Sequence, residues 1–247
     1  MGAEGRAATF TFVNRCTGTV WPGIQSNAGS SRLDPTGFVL PPGASRAVPA
    51  PSGWSGRVWA RTGCAQDGGG RMVCATGDCG SGSLECNGQN AATPATLAEF
   101  TLAGGNGDDF YDVSLVDGYN VGIGVAAAGA RVNYATCGYA GCVGDVNALC
   151  PPELQVASGA AAAEAAGGDG AAPTVACRSA CEAFGTAEYC CTGAHGGPST
   201  CGPTKYSRLF KAACPAAYSY AYDDPTSTFT CGTGAQYLVT FCPGGHQ

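Results

Sequence analysis

Residues 110–125 read FYDVSLVDGYNVGIGV. Two runs of alternating character flank Asp117-Gly118, a dipeptide suited to a tight two-residue turn, so the stretch predicts a β-hairpin. In the second run Tyr119, Val121, Ile123 and Val125 point one way. Asn120, Gly122 and Gly124 point the other, which leaves a bare face that another backbone or a ligand can approach. The period of two returns at both ends of the chain. ATFTFVN (Ala8 to Asn14) alternates Phe10 and Phe12 with Thr9, Thr11 and Val13, and QYLVTFC (Gln236 to Cys242) sets Tyr237, Val239 and Phe241 on one face. GRVWAR (Gly56 to Arg61) is a further strand. The pattern is that of an antiparallel β core.

The chain has 247 residues, enough for one large all-β unit, and only 12% of them are charged. Forty glycines suit short strands and turns better than helices. A net charge of −6 argues against nucleic acid and against docking on anionic lipid. The charge is also uneven. Between Arg71 and Arg131 no Lys or Arg occurs, while Asp78, Glu85, Glu99, Asp108, Asp109, Asp112 and Asp117 all do.

Sixteen cysteines stand against two histidines, and no CxxC pair occurs. That combination points to a disulfide framework rather than zinc, and hence to an oxidising compartment, secreted or vacuolar. Neighbouring Cys190 and Cys191 are badly placed to bond each other. The start, MGAEGRA, has no apolar h-region, so the expectation is that a native signal segment is missing from this sequence.

Cysteine density divides the chain. A small Gly-rich excursion holds Cys64, Cys74, Cys79 and Cys86, and a larger one over 137–214 holds nine more. In the larger one Cys177, Cys181 and Phe184 repeat at helical spacing, as do Tyr206 and Phe210 after Pro203. Residues 156–176 form a low-complexity Ala/Gly segment, read as a mobile surface insertion with at most a turn or two of helix.

Several motifs together resemble the thaumatin-like proteins, the fifth class of plant pathogenesis-related proteins. They are FVNRCTGTVWPG (from Phe12), RVWARTGC (from Arg57), TGDCG (from Thr76), TLAEFTL (from Thr96), DFYDVSLVDGYNV (from Asp109), EYCCTG (from Glu188) and CGPTKYSRLFKAACPAAYSYAYDDPTSTFTC (from Cys201), with the YLVTFCP ending. The resemblance implies an all-β fold, a flattened antiparallel β-sandwich with two disulfide-rich side domains, one of them containing short helices. It would divide the chain into a core of 8–61, 94–143 and 215–243, a small loop domain of 62–93 and a larger domain of 144–214. It also implies the pairing Cys16–Cys242, Cys64–Cys74, Cys79–Cys86, Cys137–Cys231, Cys142–Cys214, Cys150–Cys177, Cys181–Cys190 and Cys191–Cys201. Spacing alone leaves about two million pairings open. The loop before Cys177 and the GAHGGPST loop before Cys201 are longer than the family leads one to expect.

The family carries an Arg, a Glu and three Asp along an acidic cleft beside the larger side domain. Matched motif by motif, these become Arg61, Glu99, Asp112, Asp117 and Asp223. The resemblance implies a secreted, monomeric defence protein that binds β-1,3-glucan of fungal walls there, with no cofactor and no metal. Two alternatives are weak endo-β-1,3-glucanase activity and interaction with a foreign glycanase. Paired carboxylates can hydrolyse a glycosidic bond, with Glu99 as the acid and Asp112 or Asp117 as base or nucleophile. For binding, carboxylates accept from sugar hydroxyls while Tyr111, Tyr119 or Tyr222 could stack on the rings. Each residue also has a plainer reading. Asp117 before Gly is a common turn residue, Arg61 could neutralise buried carboxylates, and one of Asp108 and Asp109 could be a solvated loop acid.

Overall fold

The computed structural model describes residues 8–104, 107–129, 137–158 and 172–245. The strands in chain order begin with β1 (Ala8–Asn14), β2 (Trp21–Ser26), β3 (Ser45–Ala50), β4 (Ser55–Arg61), β5 (Ala65–Gln66), β6 (Met72–Val73) and β7 (Leu97–Thr101). They continue with β8 (Asp108–Ser114), β9 (Ile123–Ala128), β10 (Ala140–Gly141), β11 (Gln155–Ala157), β12 (Thr174–Cys177), β13 (Thr228–Gly232) and β14 (Gln236–Phe241). Two five-stranded sheets, in the orders β10-β9-β14-β1-β3 and β13-β8-β7-β4-β2, supply the body of the molecule. All their pairings are antiparallel except β1 with β14, which run parallel and set Phe10 opposite Tyr237. The alternation read in β1 holds, with every second residue fully buried. Between the sheets Phe10, Trp54, Phe100, Tyr111 and Tyr237 pack ring on ring, with centroids 4.6–6.3 Å apart. These are the separations that tilted aromatic pairs favour.

The expected hairpin at Asp117-Gly118 does not form. Its first arm becomes β8 in one sheet, and its second becomes β9 in the other. The turn closes one residue early, because the amide of Gly118 donates to the carbonyl of Leu115. The flanks then pair elsewhere, Leu115 with Tyr218 and Tyr119 with Cys177. The physical reason is burial. Val113, Leu115, Tyr119, Val121, Ile123 and Val125 are all buried, and one two-stranded ribbon could not bury both arms on opposite sides of the core. Nor is the glycine face of β9 bare. Gly124 lies under the ring of Tyr139, whose hydroxyl would be 2.2 Å from an added Cβ.

Two lobes grow from the sandwich. Between β4 and β7 a small lobe carries the β5–β6 ribbon and the disulfides Cys64–Cys74 and Cys79–Cys86. Between β10 and β13 lies the larger lobe, with the β11–β12 ribbon and the helices α1 (Ala180–Phe184), α2 (Ala187–Cys190) and α3 (Lys205–Ala213). Cys177, expected in phase with Cys181 on a helix, instead ends β12, and α1 starts only after the Ser179 N-cap. Helix α3 begins with a reciprocal capping box between Thr204 and Ser207 and buries Tyr206 and Phe210. Four bridges lie in or anchor this lobe: Cys142–Cys214, Cys150–Cys177, Cys181–Cys190 and Cys191–Cys201. Cys137–Cys231 ties β13 to the segment just before β10, and Cys16–Cys242 closes the termini across 226 residues. Most of the Ala/Gly segment, from 159 to 171, lies outside the described residues.

Candidate functional site

Register builds the site. In the sheet β13-β8-β7-β4-β2, Arg57 stands opposite Glu99, Glu99 opposite Asp112, and Asp112 opposite Thr228. Strand residues that face one another share a side of the sheet, so these four form one row across four strands. Their neighbours Val58, Phe100, Tyr111 and Val113 point into the core, which turns the row outward.

The rest of this outer face is covered. Two positions along β4, Trp59 lies under the small lobe with Cys79, Cys86, Ala95 and Leu97, and its indole donates to the carbonyl of Gly77. Arg61 follows on the same face and is 1% exposed. Its guanidinium donates to the carbonyls of Trp21, Pro22 and Leu84 at 3.0, 3.2 and 2.7 Å. The nearby charges are Asp78 and Glu85, and burial outweighs their pull to lower its pKa. Arg61 is therefore a structural cation under the small lobe, away from the row. The arginine that meets the carboxylates is Arg57, whose Nη2 is 3.3 Å from Glu99 Oε1. Sequence matching chose the wrong arginine of RVWAR. The spacing of two held the clue, since Arg57 and Arg61 share a face and only their distance from the small lobe separates them.

Three of the five expected residues come together. Burial raises the pKa of Glu99, Arg57 opposes the rise, and Asp117 adds to it. Asp112 is pushed up to about 7, first by burial, then by Glu99 and Asp224, against the pull of Arg57. Its Oδ1 has no hydrogen-bond partner among the described residues. Asp223 turns elsewhere, pairing with Lys211 at 2.9 Å and accepting from the amide and hydroxyl of Ser219. Its neighbour Asp224 is the acid that faces Asp112, held by a 2.8 Å bond from the hydroxyl of Tyr218. Tyr218 also bonds Thr228, so it walls the end of the row.

The stacking candidates fare unevenly. Tyr111 and Tyr119 are core residues, 1% and 0% exposed, and cannot meet a ligand. Tyr222 is half-buried and donates to the carbonyl of Gly196. The acid-rich run itself splits by role. Asp78 caps backbone amides in the small lobe, and Glu85 ties that lobe to Thr36. Asp109 is buried, accepting from Tyr237 and Ala103, while Asp108 is exposed. Of this run only Glu99, Asp112 and Asp117 come near one another on the outer face of the sheet. Among the described residues no cluster of His, Cys, Asp and Glu could hold a metal ion.

A sandwich of two five-stranded sheets with two disulfide-rich lobes and this acidic row defines a class, and the sequence profile of the Thaumatin family matches residues 14–243. The chain belongs to the Thaumatin family. It is 54% identical to thaumatin-like protein 1 of Arabidopsis thaliana over 98% of this chain and 88% of that protein. It is 55% identical to pathogenesis-related protein 5 of the same plant, over 96% and 91%. A Prunus avium protein named glucan endo-1,3-beta-glucosidase is 50% identical over the same shares. These relatives support a role in plant defence.

Proposed function

We propose that the protein is a secreted, antifungal defence protein that binds β-1,3-glucan in the cleft floored by Arg57, Glu99 and Asp112, with Asp117 at one end. The row itself is the observation that carries this reading. It sets a five-donor guanidinium, two carboxylates and a hydroxyl side by side across one partly exposed sheet face. Neutral sugars offer hydroxyls that both donate and accept, and such a row can meet them in register. Binding does not depend on net opposite charge, which suits an acidic protein and an uncharged polymer.

Hydrolysis is the second reading, and one observation favours it. Asp112, pushed up to about 7, is the carboxyl best poised to keep a proton near neutrality, so on this reading it replaces Glu99 as the acid. Glu99 and Asp112 rise from the same floor, however. A partner on the opposite side of the sugar would have to come from the wall, where Asp224 stands.

A proton NMR time course of a linear β-1,3-gluco-oligosaccharide with the protein separates the readings. Broadened sugar lines without new reducing-end anomeric signals are expected for binding. New anomeric signals would establish an enzyme, and sharp, unchanged lines would refute both readings. For the Glu99→Gln protein the broadening should be lost.

A further inference from the structure

Where the cleft reaches Asp117, the two lobes meet. Pro94 of the small lobe and the carbonyl of Cys177 in the larger one close on Gly118 from either side. A Cβ added there would lie 2.4 Å from Pro94 Cβ and 2.9 Å from the Cys177 oxygen. Gly118 sits at φ +87°, so glycine is required on both counts. Just outside this pinch the hydroxyl of Thr93 donates to Glu182 Oε1 at 3.2 Å, joining lobes 89 residues apart in the chain. Glu182 in turn lies close enough to Asp117 for their charges to repel. This bond straps the two lobes together beside Asp117.

Beside the strap is a cavity of about 230 Å³. Arg57 and Asp117 belong to both the proposed cleft and the cavity, and Asn90, Ala91, Thr93, Ala95 and Leu97 complete the lining. The polar members offer donors and acceptors for several hydroxyls at once, and Ala91 and Leu97 give an apolar floor for one ring face. The Nε of Arg57 is buried and has no hydrogen-bond partner among the described residues.

We propose that this cavity is a terminal subsite that takes the end sugar of a β-1,3-glucan chain, with the Thr93–Glu182 strap closing the cleft behind it. The inference rests on the glucan-binding reading above. It makes the protein a reader of chain ends and counts against cleavage in mid-chain.

The test compares the binding of a linear β-1,3-gluco-oligosaccharide with that of a cyclic β-1,3-linked glucan, which has no ends. Wild-type amide shift perturbations are followed at Asn90, Ala91 and Thr93 as well as at Glu99 and Asp112. The linear ligand should bind at least about tenfold more tightly and move both groups of amides. Ala91→Trp should fill the cavity and bring the linear affinity down to the cyclic level. Thr93→Val should open the strap and improve cyclic binding. The wild-type comparison stands even where Ala91→Trp fails to fold. Equal affinities with shifts confined to Glu99 and Asp112 would overturn the subsite and leave the cleft standing. No binding of the linear ligand would refute the cleft reading, and the subsite with it.

Discussion

Arg57 and Arg61 sit four residues apart on one face of one strand, and they have opposite fates. Under the small lobe, Arg61 is sealed from water and spends its donors on backbone carbonyls. Beyond the lobe's edge, Arg57 keeps about a third of its side chain exposed and meets a carboxylate. Trp59 between them marks the boundary, since it anchors the lobe on the sheet. One face of β4 therefore serves two purposes, and what divides them is the reach of a disulfide-stapled loop. The covered half holds the lobe on the sheet, while the other half keeps its charged groups partly exposed.

The sharpest way to break this contrast is Arg61→Met. Three carbonyl acceptors would lose their charged donor in a dry site, and breaking such an arrangement costs roughly 3–5 kcal/mol. Denaturant unfolding under oxidising conditions should show the midpoint fall accordingly. A loss below about 1 kcal/mol would mean that water reaches the site and that Arg61 is not sealed. Trp59→Phe comes next. It keeps the ring packing but removes the donor to Gly77, for an expected loss of about 1–2 kcal/mol by the same measurement. Glucan binding should survive both substitutions if the two halves are independent.

Much of this was legible in the sequence, and the failures share a cause. The period of two found β1 and β14, whose Phe10, Phe12, Tyr237, Val239 and Phe241 face the core, while β4 is buried on both faces over Val58 to Arg61. It also put Asp112 on a strand, though Glu99 was reached only through the TLAEFTL motif and not in register with Asp112. The Asp-Gly hairpin failed because local turn chemistry says nothing about which sheet receives the next strand. Here buried residues on both sides of the turn needed two sheets. Arg61 and Asp223 were misplaced for a similar reason. Each has a twin on the same face or in the next position, and only tertiary cover shows which twin meets the carboxylate row. Tyr218 escaped notice because nothing local ties it to Thr228 across ten residues.

Smaller in effect is Asp112→Asn, which tests the open half through pH. The native carboxyl titrates near 7 against an ordinary value of 3.8. Between those values the folded state binds more protons than the unfolded one, so stability falls as pH rises through that window. The wild type should lose stability on going from pH 5 to about 8. Asp112→Asn should remove on the order of 1–2 kcal/mol of that loss, discounted for partial exposure. Parallel wild-type and variant curves of unfolding free energy against pH would refute a raised Asp112.

The smallest expected effect on stability is that of Arg57→Met, and it carries the most information about the contrast. An ion pair with each partner about a third exposed contributes little, so unfolding should change by less than about 1 kcal/mol. Function should change far more. Without the guanidinium, the opposing pull on both Glu99 and Asp112 is lost, and both carboxyls should titrate at higher pH, readable from their side-chain carbon shifts. Glucan affinity should fall with the loss of the donor that links the row to the terminal cavity. Arg61→Met would then have lowered stability and spared binding, while Arg57→Met spares stability and lowers binding. If instead Arg57→Met destabilised the fold as much as Arg61→Met, the division of β4 into a structural and a functional half would be wrong, because both arginines would be holding the same lobe in place.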